Sequence, residues 1–143
     1  MDGHSPVRVG EGLFIPPQAL AGKRILIVED EMLVVLLLES TLADFGCIVV
    51  GSCSTVAEAL KAVEAETLLF DAALLDVNLN GERVFPVAYA LAERHIPFLF
   101  VSGYGAGALP PNCPRDWVVC AKPFKVDDLA AMLLATIARA DRS

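Results

Sequence analysis

Three carboxylates, one hydroxyl and one lysine stand out because each closes a short apolar run. Glu29 and Asp30 follow Arg24 to Val28, Asp76 ends Ala72 to Leu75, Ser102 ends Phe98 to Val101, and Lys122 follows Trp117 to Ala121. Carboxylates brought to one spot repel one another unless a cation neutralises them. An all-oxygen site with few protein ligands suits Mg²⁺, which keeps several of its own waters. Asp30 and Asp76 are the expected direct ligands. A carboxylate held beside Mg²⁺, a lysine and a hydroxyl can attack an activated phosphoryl group, since the metal and the lysine offset charge on the transferred oxygens. Asp76 is the expected nucleophile.

That chemistry requires elements that bring the five side chains together, and the hydrophobic pattern supplies them. Arg24 to Val28, Cys47 to Gly51, Ala72 to Asp76, Phe98 to Ser102 and Trp117 to Ala121 are short apolar runs of strand type. Between and after them, Met32 to Phe45, Thr55 to Ala65, Val84 to Glu93 and Val126 to Ala140 have helical length or a helical stripe, such as Leu129, Met132, Leu133 and Ile137. Ser54 or Thr55 is placed to cap the second helix, Asn80-Gly81 to turn the chain, and Pro123 to open the last helix. Gly103, Gly105, Gly107, Pro110, Pro111 and Pro114 oppose a regular helix between the fourth and fifth strands, so a loop or one short turn is expected there.

Strands apolar on both faces that alternate with helices predict a parallel sheet covered on both sides, an α/β three-layer, doubly wound, flavodoxin-like fold with a degenerate fourth helix. In the common strand order 2-1-3-4-5, the ends of strands 1, 3, 4 and 5 are neighbours, and ligands bind at that carboxyl edge. Strand 2 contributes none of the five groups, as this order requires.

The bulk numbers bound the reading. At 143 residues the chain fits one domain, expected as an arm over 1–22, carrying Pro16-Pro17, followed by a folded unit over 23–143. No room for an effector domain is expected. The chain is 55% hydrophobic with mean hydropathy +0.57, yet its longest apolar run, Met32 to Leu38, is far short of the about 18 residues a bilayer requires. Seven consecutive apolar residues encircle a helix, so one side of it should stay exposed. No secretory leader is recognisable, and a cytoplasmic protein without membrane insertion is expected. A net charge of −7 lacks the footprint of a nucleic-acid binder. Cys47, Cys53, Cys113 and Cys120 form no CxxC pair and are expected to be reduced thiols. His95 is expected in a loop and Trp117 in packing.

Four segments, Val28-Glu29-Asp30-Glu31, Leu75-Asp76-Val77-Asn78, Val101-Ser102-Gly103 and Ala121-Lys122-Pro123-Phe124, together resemble the response-regulator receiver signature, and the likeness covers residues 23–140. Any one alone would be weak, but four in order at fold-consistent spacing are specific. The resemblance implies phosphoryl transfer to Asp76 from a histidine kinase or histidine phosphotransferase. It implies Mg²⁺ held by Asp30, Asp76 and the Asn78 carbonyl, and by Glu29 through water. Ser102 would bond to the phosphoryl group and Lys122 would pair with it. Output would pass by contact with a downstream protein that the sequence does not name, and a homodimer stays open. The first helix often helps to dock the phosphodonor in this family. Such a domain is not an enzyme beyond its own phosphorylation and dephosphorylation.

Pro97-Phe98-Leu99-Phe100-Val101-Ser102-Gly103-Tyr104 is also similar to the FATGUY receivers, mostly stand-alone regulators, with Ser102 where Thr is usual and Val101 in place of Ala. The family's switch aromatic, three residues before the lysine, is here Val119. Tyr104 is the candidate to take over that role from the loop. Two alternatives remain. Leu20-Ala21-Gly22-Lys23-Arg24 resembles the junction before the receiver module of a hybrid histidine kinase. A Mg²⁺-dependent phosphohydrolase of the haloacid-dehalogenase type also uses an aspartate nucleophile, but wants a second Asp where Asn78 stands.

Overall fold

The computed structural model describes residues 7–9, 13–15 and 19–141. The expected arm over 1–22 therefore lies largely outside the described residues, as do residues 142 and 143. Within the arm, Val7–Val9 pairs antiparallel with Leu13–Ile15, two β-rich triplets on either side of Gly10 and Gly12. A two-stranded hairpin is marginal by itself, and the first of these strands lies beside the last helix.

The main sheet is built from β1 (Arg24–Val28), β2 (Ile48–Cys53), β3 (Ala72–Asp76), β4 (Phe98–Ser102) and β5 (Val119–Ala121). All pairings are parallel, and the order is β2-β1-β3-β4-β5. The helices are α1 (Met32–Asp44), α2 (Val56–Glu64), α3 (Phe85–Glu93) and α4 (Val126–Asp141). Between β4 and β5 only a 3₁₀ turn forms, Gly105–Ala108, as the glycines and prolines there require.

Alternation along each strand sorts the core into two halves. Ile25, Ile27, Leu74, Leu99 and Val101 point to one face, where Val35, Leu38 and Leu42 of α1 and Leu129, Leu133 and Ile137 of α4 cover them. Leu26, Val28, Ala73, Leu75 and Phe100 point to the other, under Val56, Ala59 and Val63 of α2 and Val87, Ala88 and Leu91 of α3. Leu20, ahead of the first strand, is completely buried against the α1 face. Gly46 ends the α1 turn at φ 83°, and a Cβ there would stand 3.0 Å from the Ala21 backbone, so glycine serves both the turn and the close approach.

Local chemistry explains the element ends. Thr55 caps α2 by accepting from the Glu58 N–H at 3.1 Å, while Ser54 donates to the Glu58 carboxylate at 2.9 Å, a reciprocal box. Pro86 sits in the first turn of α3, where its missing N–H has no consequence. β2 runs two residues further than the sequence pattern suggests, because parallel pairing continues to Val28↔Cys53. β5 is shorter than expected. Trp117 bends away in a turn, its N–H donating to Pro114 at 3.2 Å, and its ring leaves the strand to join an aromatic cluster.

The first two turns of α1, Met32 to Leu38, are apolar all round, and the helix covers the sheet with one side only. Met32, Leu33, Leu36 and Leu37 remain exposed, Leu33 to 82%. No described helix is long and apolar enough to cross a membrane. The four cysteines are unbridged, and burial pushes the Cys47 thiol up to about 11.

Candidate functional site

The strand order places the carboxyl ends of β1 and β3 side by side, and their acidic residues meet there. Glu29, Asp30 and Asp76 bring one carboxylate oxygen each within 4.8 Å of the others. Glu29 and Asp76 are buried, and Asp30 is half-buried. From the end of β5, Lys122 reaches across, its Nζ donating to Glu29 Oε1 at 3.0 Å and standing 3.6 Å from Asp76 Oδ2. Ser102, at the end of β4, is buried, and the Lys122 N–H donates to its carbonyl at 2.8 Å, which fixes the lysine backbone.

The electrostatics are those of a crowded acidic pocket. Burial pushes the Glu29 carboxyl up to about 7, and the neighbouring Asp76 works in the same direction, while Lys122 and the Glu31 N–H pull it down. Burial works against the Lys122 charge, but the bond to Glu29 and the charges of Asp76 and Glu29 overrule it and hold the ammonium above the ordinary lysine value. One lysine pairs with two of the three carboxylates, so negative charge is left over. An all-oxygen set with that surplus fits a small hard divalent cation such as Mg²⁺, with Glu29, Asp30 and Asp76 as the residues to hold it.

The remaining sequence-predicted residues lie at the rim. Asn78 is exposed. Its N–H donates to Asp76 Oδ1 at 3.3 Å, and its side-chain oxygen accepts from the Gly81 N–H at 2.8 Å. Tyr104 is 83% exposed, and only its backbone N–H reaches the site, donating to Ser102 Oγ at 3.1 Å. Its ring is thus away from the carboxylates, while its main chain is tied to the hydroxyl.

Two features escaped the sequence reading. Asn78–Leu79 pairs antiparallel with Glu82–Arg83 around Asn80 (φ 51°) and Gly81 (φ 90°), a small hairpin above Asp76 whose Asn80 N–H donates to Asp30 Oδ2 at 3.1 Å. The Asn80-Gly81 turn itself was expected, since both positions of such a turn need positive φ, but the two-residue strands on either side of it were not. The second is what stands near Val119. Trp117 lies 5.1 Å from Phe100, 5.0 Å from Tyr89 and 5.7 Å from Phe98, and stacks on Phe85 at 6.1 Å, with Val119 packed against this cluster.

With this geometry in view, comparison with known proteins adds the following. The family model of the response regulator receiver domain matches residues 25–134. The solution structure of SdrG from Sphingomonas melonis Fr1 is 44% identical, covers 82% of this chain and 97% of that one, and superposes with a TM-score of 0.70. The BeF3-activated conformation of SdrG from Pseudomonas melonis Fr1 is likewise 44% identical, covers 82% of this chain and 98% of that one, and has a TM-score of 0.68. The Phyllosphere-induced regulator PhyR of Methylorubrum extorquens is 29% identical over 111 residues, 76% of this chain. The chain spans only 41% of the length of that curated relative. The anti-anti-sigma factor PhyR of Bartonella quintana, 23% identical over 85% of this chain and 51% of its own, shares the fold at a TM-score of 0.73.

Proposed function

Because the chain belongs to the response regulator receiver domain family, we propose that it is a phosphorylation switch, taking a phosphoryl group on Asp76 from a histidine kinase or histidine phosphotransferase and signalling by binding another protein. The observation that carries this reading is the cluster of Glu29, Asp30 and Asp76 at the carboxyl edge of the sheet, with Lys122 bridging Glu29 and Asp76. Mg²⁺, when bound there, would offset charge on the transferred phosphoryl oxygens. The nucleophile is the Asp76 carboxylate, an oxygen of which forms the new bond to phosphorus. The Asn78 carbonyl and Glu29, the latter through water, complete the ligand set.

Lys122 is already charged and already aimed at Asp76, so a phosphoryl group on Asp76 offers it a stronger partner than Glu29. Ser102 Oγ accepts from the Tyr104 N–H in this structure, which leaves its own hydroxyl proton available for a phosphoryl oxygen. Engagement of Ser102 then pulls on the backbone of Tyr104, and through it on residues 103–116, a loop containing three glycines. In this reading the loop with Tyr104, rather than a strand-5 ring at Val119, carries the change to the surface, an order–disorder type of switch. The module works in the cytoplasm, where its donors are. A partner protein for the output follows the example of PhyR of Bartonella quintana, which is described as an anti-anti-sigma factor.

The direct test is uptake of acid-labile phosphate from acetyl phosphate with and without Mg²⁺. The parent is expected to label once per chain, chelation to stop it, and Asp76→Asn to abolish it. Label retained in Asp76→Asn refutes the assignment. Repeated turnover of p-nitrophenyl phosphate would favour a hydrolase instead. Amide exchange over 103–116 should slow on addition of beryllofluoride and Mg²⁺, and equal protection in both states would sink the loop switch.

A further inference from the structure

The hairpin above Asp76 carries a cation that none of the chemistry so far uses. Arg83 is exposed, on the strand opposite Asn78, and its side chain makes no hydrogen bond or ion pair with any described residue. It does not hang on a free loop. Leu79 and Val84 on either side of the turn are buried, the Val84 N–H donates to the Val77 carbonyl at 2.9 Å, and the Asn80 N–H is held by Asp30. Glu82, the adjacent acid, alternates to the opposite face of the strand. Arg83 lines a cleft of about 420 Å³ together with Val77, Asn78, Ser102, Tyr104 and Gly107. A guanidinium without an internal partner, carried on an anchored hairpin beside a cleft that includes two of the candidate site residues, is a ready anion contact.

In-line displacement decides which anion this can be. The attacking and leaving oxygens lie on opposite sides of phosphorus, so the group that leaves when Asp76 attacks departs on the side away from the Asp76 carboxylate, and the cleft that starts at Val77, the residue after Asp76, and includes Ser102 adjoins that point. We propose that Arg83 is a donor-selecting residue that binds the leaving carboxylate of a small acyl phosphate in this cleft; the proposal rests on Asp76 being the phosphoacceptor. In the step, a lone pair of the Asp76 carboxylate forms the O–P bond. The bond from phosphorus to the acyl-side oxygen breaks, and its electron pair leaves with the carboxylate. No proton is required, and the negative charge growing on that carboxylate is what the guanidinium meets. A donor that leaves as a neutral amine or imidazole gains nothing from this contact. Arg83 thereby tunes the domain toward acyl phosphates without being needed for transfer from a phosphohistidine.

The test compares two small donors, acetyl phosphate and phosphoramidate, on the full chain with Mg²⁺. Arg83→Ala should slow labelling of Asp76 by acetyl phosphate about tenfold and leave labelling by phosphoramidate within about twofold, the scale of one charge-assisted hydrogen bond made in the transition state. Arg83→Lys should recover part of the loss. Raising the salt concentration should narrow the gap between parent and Arg83→Ala, since the contact is exposed. An unchanged denaturation midpoint in Arg83→Ala confirms that the variant is folded, as expected for a side chain without internal partners. Unchanged acetyl phosphate rates, or equal losses with both donors, would overturn the role of Arg83 while leaving Asp76 as the acceptor. A parent chain that takes no phosphate on Asp76 from either donor would overturn the underlying reading and this inference with it.

Discussion

Strand β4 takes part in two regions built on opposite principles. Its last residue, Ser102, belongs to the acidic pocket. Two residues earlier Phe100, with Phe98, belongs to the aromatic cluster around Trp117. In the pocket like charges are crowded together: three carboxylates meet one lysine divided between two of them, and burial raises the Glu29 carboxyl. In the cluster the contacts are ring against ring, 5.0 to 6.1 Å between centroids, and carry no net charge. The first region has charge to offer a ligand, and the second is held by packing. This is also why the proposed change of state is assigned to the glycine-rich loop after β4 rather than to an aromatic side chain turning within the cluster.

Substitutions that separate the two regions test that division. Asp76→Asn should have the largest effect, complete loss of phosphate uptake measured by acid-labile label, with the cooperative unfolding transition retained because one acid among three repelling acids has gone. Trp117→Ala should do the reverse. It should cost about 3–5 kcal/mol in chemical denaturation, as for a large buried aromatic, while Asp76 still labels under conditions where the variant is folded. If Trp117→Ala abolishes labelling in its folded state, the two regions are one functional unit and the comparison fails.

Lys122→Ala sharpens the boundary from the pocket side. Phosphorylation should remain measurable, but the energy by which phosphorylation changes affinity for a protein partner should fall by about 1.5–3 kcal/mol, the worth of a charged hydrogen bond. Unchanged coupling, measured by titrating partner against the beryllofluoride form, would remove Lys122 from the switch. Tyr89→Ala should have the smallest effect. The ring is half exposed and meets Trp117 from the edge of the cluster, so the loss should be about 0.5–1.5 kcal/mol in denaturation with no change in labelling.

Much of this molecule was legible before its coordinates. The β-branched runs and helical stripes place all five strands and four helices, and Asn80-Gly81 marks a turn that does form. Short runs are less exact at their ends: β2 gained Ser52 and Cys53 through pairing with β1, and β5 lost Trp117 to the cluster. Exposure of one side of α1 followed from simple geometry, since seven apolar residues in a row cannot all face one sheet.

What the sequence determined by itself was the period of each element and the chemical character of its end. That suffices for the α/β class and for predicting that Glu29, Asp30, Asp76, Ser102 and Lys122 share an edge. Tertiary structure alone decided who meets whom. The Lys122–Glu29 bond joins residues 93 apart, and the Asp30–Asn80 bond joins residues 50 apart. Neither is encoded in any local pattern. The same holds for Leu20, whose burial depends on the α1 face it packs against, and for Arg83, an ordinary charged residue in the sequence until a two-residue strand sets it on the wall of a cleft. Local sequence dictates backbone preference and which face of an element is apolar, whereas long-range pairs depend on strand order and loop path, which are settled only when the whole core closes at once.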